Sequence, residues 1–179
     1  MGEPVVIVPY DPTWPSLFAQ LRDGIVAALG ATALRVEHVG STSVPGLAAK
    51  PIIDIDAVIP AETDLPEAIR KLARVGYTHE GERGIAGRHA FSQPSGLPAH
   101  HLYVCDEHNP ELWRHIAFRD YLRANPAEAA SYGALKERLA LRFGNDRDGY
   151  TDAKSAFIAE ALSKLPQKGS KIDAARRPF

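Results

Sequence analysis

Cysteine is nearly missing from this 179-residue sequence, Cys105 being the only one. That excludes an intrachain disulfide and any zinc cluster built on several thiolates, and it fits a reducing compartment. Excess charge of either sign is missing too: 21 Lys and Arg against 22 Asp and Glu leave a formal net charge of −1. A chain so balanced has no global electrostatic footprint for duplex nucleic acid or an anionic membrane, although a local basic patch remains open. No apolar run nears the ~18 residues that suggest a membrane span. The stretch up to Pro15 lacks a basic opening segment and carries prolines, unlike a secretory signal. Internal repeats, low-complexity blocks and an interior linker are absent as well. So are the Gly-x4-Gly-Lys-Ser/Thr phosphate loop and the Gly-x-Ser-x-Gly nucleophile elbow. The expectation is a soluble cytoplasmic protein, one domain over residues 1–165 with a polar, frayed tail over 166–179.

What is present is an ordinary globular composition, 45% apolar and 24% charged, enough to pack a core. Residues 5–8 form a β-branched run readable as a strand. Thr13 and Pro15 open a helix in which Leu17, Phe18, Leu21, Ile25 and Leu29 recur at helical spacing until Gly30. Residues 34–39 read as a strand, 40–46 as a loop of small residues, and 51–59 as a strand interrupted by two aspartates. A helix opening at Asp64 or Pro66 runs through Leu72 and closes at Gly76. A weak strand near Tyr77, a glycine-rich turn over 81–87, and strands over about 88–93 and 100–105 follow. Asn109-Pro110 and Asn125-Pro126 each pair a cap with a first-turn proline and open two helices; a third spans about 148–165. A sheet with early helices and then a helical C-terminal half predicts an α+β fold, or α/β with a mixed sheet.

The chemistry concentrates between Val39 and Ile59. Strand side chains alternate, so Asp54 and Asp56 point to one face. Two carboxylates on one face of an apolar strand repel each other and resist burial. A divalent cation relieves both problems; so does a solvated strand end, or pairing with Lys50 and an arginine. The preceding strand runs into Gly40-Ser41, where glycine permits close backbone approach and a serine hydroxyl with nearby amides can hold a phosphate. Magnesium takes one or two carboxylates plus substrate phosphate oxygens, so a phosphate cradle beside a carboxylate pair suits displacement at a nucleotide phosphorus.

These residues resemble a known family. Gly-Ser followed after a gap by Asp-h-Asp-h (h apolar) is similar to the nucleotidyltransferase superfamily. Tyr10-Asp11-Pro12-x-Trp14-Pro15 and the run from Glu37 to Ile55, centred on Gly40-Ser41-Thr42-Ser43-Val44-Pro45-Gly46, look more closely like the GrpB family. So do His101-Leu102-Tyr103-Val104, Phe118-Arg119-Asp120-Tyr121-Leu122, Leu135-Lys136 and Tyr150-Thr151-x-Ala153-Lys154. The resemblance covers about residues 5–162. It implies a fold similar to nucleotidyltransferases, in a domain that in some bacteria is fused to dephospho-CoA kinase. Carried over by position, it implies that Gly40 and Ser41 hold phosphate and that Asp54 and Asp56 bind magnesium or manganese.

The superfamily adds a third carboxylate on a neighbouring strand, and no acid lies within residues 100–105. His100 and His101 face opposite sides, and His101 is the candidate replacement, as a metal ligand or as a phosphate contact or general base. Of Glu37 and His38, strand alternation turns one toward the site; Glu37 is a candidate third acidic group or a partner in an ion pair. Lys50 can neutralise phosphate or bridge to Asp54 or Asp56. Arg119, Lys136, Tyr150 and Lys154 fall on the C-terminal helices; in the wider superfamily such helices often face the nucleotide, so cations there can hold phosphate, although charged faces are commonly solvated. Lys154, as a phosphate contact, and Tyr150, as a base-stacking ring, are retained with Lys50 as nucleotide-binding residues. Trp14 and Trp113 read as packing anchors. The expected function is metal-dependent transfer of a nucleotidyl group from a nucleoside triphosphate to an unknown acceptor. The alternatives are a noncatalytic nucleotide- or metal-binding regulatory module and, more weakly, a phosphohydrolase.

Overall fold

The computed structural model describes residues 4–165; the tail expected over 166–179 lies outside them. The elements are α1 (Trp14–Leu29), β1 (Arg35–Val39), β2 (Ile53–Ile59), α2 (Leu65–Ala73), β3 (Thr78–His79), β4 (His89–Ser92), β5 (His100–Asp106), α3 (Pro110–Ala124), α4 (Pro126–Phe143) and α5 (Arg147–Ser163). The strands form a single five-stranded mixed sheet of order β1-β2-β5-β4-β3. Only the central pair, β2 and β5, is parallel; the β1–β2, β5–β4 and β4–β3 pairs are antiparallel. This is the α+β arrangement that the order of patterns predicts.

The alternation in β2 separates two layers. Ile53, Ile55, Ala57 and Ile59 pack with Leu102 and Val104 of β5 against Leu21, Ile25 and Leu29 of α1 and Ala68 and Leu72 of α2. The other face carries Asp54, Asp56 and Val58. Val58 is covered by Cys105 and by Leu112 and Ile116 of α3. Helices α3, α4 and α5 build a second core around Leu122, Tyr132 and Ala161, joined by Val44 and Leu47 from the loop after β1. The aspartates therefore lie where the sheet meets the helical half. Among the described residues no helix is long and apolar enough to cross a membrane.

Several local expectations change. Residues 5–8 form no strand: Val8 makes one bridge with Ala49, and the Val5 amide donates to Gly144 O at 3.0 Å. Prolines at positions 4 and 9 bound this run, and Val5 instead packs against Leu139 and Tyr150. Thr13 does not cap α1 with its side chain; its amide and hydroxyl donate to Asp11 Oδ1 at 2.8 and 2.7 Å. Asn109 does cap α3, accepting from the Glu111 amide at 2.9 Å. Asn125 makes no side-chain cap and donates to Tyr121 O instead, at 2.8 Å. The cap of α5 is Asp146, which accepts from the Gly149 amide at 2.9 Å. Trp14 is buried in the core and Trp113 is half-buried.

Candidate nucleotide and metal site

The register fixes which side chains face the carboxylates. Glu37 of β1 lies opposite Asp56, and Val39 opposite Asp54. On the other flank, β5 puts His101 opposite Asp54 and Tyr103 opposite Asp56. These residues share one face of the sheet. His38 and His100 lie on the other face. His38 stacks on Phe18 of α1, ring centroids 4.5 Å apart, while His100 is buried and bonded to the Tyr77 hydroxyl at 2.8 Å. The split between His100 and His101 is the one strand alternation predicts.

Each aspartate has a histidine partner. His101 Nδ1 lies 2.9 Å from Asp54 Oδ1, and His115 Nδ1, from α3, lies 2.7 Å from Asp56 Oδ2. In both, the Nδ1–H donates to the carboxylate, which leaves Nε2 as the basic nitrogen. Burial disfavours a charged His115. The hydrogen bond and charge of Asp56, with Glu111 beyond, outweigh it and hold the pKa above the usual imidazole value. Glu37 takes the ion-pair role: Arg119 Nη1 donates to its Oε2 at 2.8 Å and to His38 O at 3.0 Å. It therefore does not stand in as a free third carboxylate.

Asp56 is 1% exposed, and its Oδ1 is buried without a hydrogen-bond partner. A buried carboxylate oxygen with no donor is costly, and a cation shared with Asp54 would satisfy it. The pair would hold magnesium or manganese through its two carboxylates, a number such ions commonly take. The expected set of Asp54, Asp56 and His101 is arranged differently from a three-ligand cage, since His101 bonds Asp54. Among the described residues no group of three or more His, Cys, Asp or Glu side chains converges on a common point.

Gly40 makes the approach to Asp54 possible. It has φ +68°, and a β-carbon there would overlap the Asp54 carboxylate. Ser41 follows, opening a short 3-10 turn over Ser41–Ser43. Ser41 and Thr42 line a cleft of about 240 Å³ with Lys50, Asp54, His101, Lys136, Tyr150, Thr151 and Lys154. Ser41, Lys50, Asp54, His101, Tyr150 and Lys154, all predicted from the sequence, line this cleft; Gly40 packs against Asp54, and Asp56 lies two positions further along β2.

Three lysines converge here. Lys50 and Lys154 stand 4.8 and 4.3 Å from the centroid of the Tyr150 ring. Lys136 is 2% exposed and donates to Ala48 O. Burial, and then the charge of Lys154, lowers the Lys136 pKa to about 7, although Asp54 opposes the shift. Burial, and then Lys50, lowers that of Lys154 to about 8. Tyr150 is fully buried between helices, and burial raises its pKa to about 12. It offers the lysines a ring face but presents no open platform for a base, contrary to the stacking role expected of it.

Two features escaped the sequence reading. For His115 the sequence signal is the recurrence of Glu111, His115 and Arg119 at i, i+4 spacing, which marks one face of α3 but not its partner on the sheet. Lys136 is expected either as a phosphate contact or as a solvated charge; its burial is set by tertiary packing, for which a single helix pattern carries no signal.

The GrpB protein family matches residues 4–164. YqkA of Bacillus subtilis is 35% identical over 167 residues, covering 92% of this chain but 49% of its own length, so the chain spans about half of that relative. A protein of Mycolicibacterium paratuberculosis named dephospho-CoA kinase is 29% identical and is likewise matched over 46% of its length. The crystal structure of the conserved protein GrpB from Enterococcus faecalis superposes with a TM-score of 0.79 at 36% identity, covering 88% of this chain and 95% of that one. The MgGTP-bound Cid1 poly(U) polymerase reaches 0.54 at 11% identity, over 76% of this chain and 45% of its own, a likeness of fold. With the family matched along almost the whole described chain and its fold reproduced, the protein belongs to the GrpB family and has a nucleotidyltransferase-type fold.

Proposed function

We propose that this cleft binds a nucleoside triphosphate with a divalent cation and transfers the nucleotidyl group to an acceptor, residues 1–165 acting as one unit. The observation that carries the reading is the convergence of Lys50, Lys136 and Lys154 beside Ser41 and Asp54 in one cleft. Lys136 and Lys154, whose pKa values are lowered by burial and then by a neighbouring lysine, are relieved by a polyanion, and a triphosphate supplies several negative charges. Asp54 and Asp56 would hold magnesium or manganese, which neutralises phosphate charge. Ser41, Lys50 and Lys154 would hold the phosphates and Lys136 would support them from below. The acceptor oxygen attacks the α-phosphorus; the new P–O bond forms as the α–β bridging bond breaks, and pyrophosphate leaves. His101, oriented by Asp54, takes the acceptor's proton on Nε2.

A noncatalytic nucleotide-binding module is the second reading. It is favoured by β5, which places His101 and Tyr103, and no acid, opposite the two aspartates. Calorimetry with a non-hydrolysable nucleoside triphosphate, with and without magnesium or manganese, tests both, and pyrophosphate release from an ordinary nucleoside triphosphate separates them. Binding with no release under any acceptor mixture supports the regulatory module. Release with no acceptor supports a phosphohydrolase. No binding at all removes both nucleotide readings.

A further inference from the structure

A second cleft, of about 430 Å³, opens beside the first and shares with it Ser41, Asp54, Thr151 and Lys154. Its size falls in the range of small-molecule sites. Its chemistry differs from the lysine cleft. Its lining is partly apolar, from Val44, Phe118, Leu122 and Ile158, and partly basic, from Arg88, Arg114, His115 and Arg119, with Asp54 and Glu111 also present. Two of the arginines are already neutralised. Arg119 is bound by Glu37 and Asp120, and Arg114 by Glu111, at 2.8, 2.8 and 2.9 Å.

Arg88 is different. Its guanidinium carbon stands 4.2 Å from the Tyr103 ring centroid, and its Nε is buried with no hydrogen-bond partner. Among the described residues it makes no ion pair. An arginine that lines a cleft, stacks on an aromatic ring and has no carboxylate partner is prepared to meet a planar or tetrahedral oxyanion through its guanidinium edge. Tyr103 itself lies opposite Asp56, which brings this anion position next to the reacting centre rather than to the outer rim.

We infer that the arginine cleft takes a small amphipathic acid, a carboxylate or phosphate monoester on an apolar or aromatic body, and that this acid is the acceptor. The acidic group meets Arg88 and the body lies along Phe118 and Ile158. Its nucleophilic oxygen then reaches toward Asp54, where the two clefts join. The identification as acceptor rests on the nucleotidyl-transfer reading; the acid site itself does not.

The test uses three probes that share a phenyl body: 4-phenylbutyrate, its neutral isostere 4-phenylbutanamide, and the shorter phenyl phosphate. Each is titrated by ligand-observed NMR into wild type, Arg88→Gln and Arg88→Lys in phosphate-free buffer, with and without saturating inorganic tripolyphosphate. At least one acid should bind saturably, at least tenfold tighter than the amide. Arg88→Gln should weaken it about tenfold or more, Arg88→Lys should weaken it less, and tripolyphosphate should not displace it. Tighter phenyl phosphate identifies a phosphate monoester; tighter 4-phenylbutyrate identifies a carboxylate. Circular dichroism checks each variant, and Arg88→Lys, which keeps the charge, carries the test if Arg88→Gln does not fold. The inference is overturned if neither acid binds, if the amide binds equally, if both Arg88 variants match wild type, or if tripolyphosphate competes. Arg88-dependent acid binding without nucleoside triphosphate binding would leave the acid site standing and sink the transfer reading. Nucleotide binding without acid binding does the reverse.

Discussion

Gly40 lies so close to Asp54 that a β-carbon on it would stand 2.9 Å from both Cβ and Cγ of the aspartate. With φ +68° and ψ −173°, Gly40 also occupies backbone space that other residues scarcely enter. Gly40→Ala therefore meets backbone strain and steric overlap together. Gly30, at φ +55° with open space around it, meets strain alone. Urea denaturation should show Gly40→Ala losing ~1–3 kcal/mol more than Gly30→Ala, the range for forced overpacking. Equal losses would mean that Asp54 moves aside freely, and the contact would then have no part in holding the carboxylate.

The Asp56–His115 contact makes a separate prediction. The raised pKa of His115 comes from Asp56 against the pull of burial. In metal-free protein, Asp56→Asn should move the His115 NMR titration midpoint downward, while Asp54→Asn, whose partner is His101, should move it much less. For stability the sign follows from a raised folded pKa. The contribution is fully present below the unfolded value of about 6.5 and is lost as pH rises through the folded value. Asp56→Asn should thus cost more stability at pH 6 than at pH 9. A cost that does not vary with pH would contradict the pairing.

Much of this architecture could be read from the sequence, and the exceptions have physical causes. The two faces of β2 followed from alternation, because four apolar side chains at 53, 55, 57 and 59 leave 54 and 56 only one place to go. The helix openings at Pro110 and Pro126 followed from proline's tolerance of a first turn. The role of residues 5–8 did not follow. A β-branched run is equally at home packed against helices, and which occurs depends on partners more than 100 residues away. The histidine partners lay beyond reach for a related reason. His115 meets Asp56 across 59 positions, and only the packing of α3 over the sheet brings them together. Lys136 shows the same limit, since its ammonium donates to Ala48 O across 88 positions.

Lys136 gives a stability prediction with the opposite slope. Its folded pKa is about 7 against 10.5 when exposed. Between those values the unfolded chain keeps a proton that the folded protein has released, so stability rises with pH across that window. Above about pH 10 the tyrosines reverse the trend. Burial raises Tyr77 and Tyr150 to about 12, so the unfolded chain ionises first. Denaturation between pH 7 and 9.5 should therefore show rising stability in wild type and a flatter profile in Lys136→Met. Lys136→Met should also be the more stable protein at pH 7, where wild type buries a charge. A steeper profile in the variant would refute the assignment.

If the cleft takes a triphosphate as proposed, Lys154 links its binding to pH. In the ligand-free protein its pKa is about 8, lowered by burial and by Lys50. A bound triphosphate favours the ammonium form and raises that value, so binding near pH 8 must take up protons from solution. Affinity should then fall as pH rises from 7 to 9. Calorimetry in two buffers of different ionisation enthalpy measures the uptake directly. Lys154→Ala should reduce it and weaken a triphosphate by about tenfold or more, the loss expected of one charge-assisted contact. The loss should shrink from tri- to di- to monophosphate if Lys154 meets the distal phosphates. An unchanged proton uptake in Lys154→Ala would place the phosphates elsewhere, and Lys136, titrating near 7 in the same cleft, would be the next residue to change.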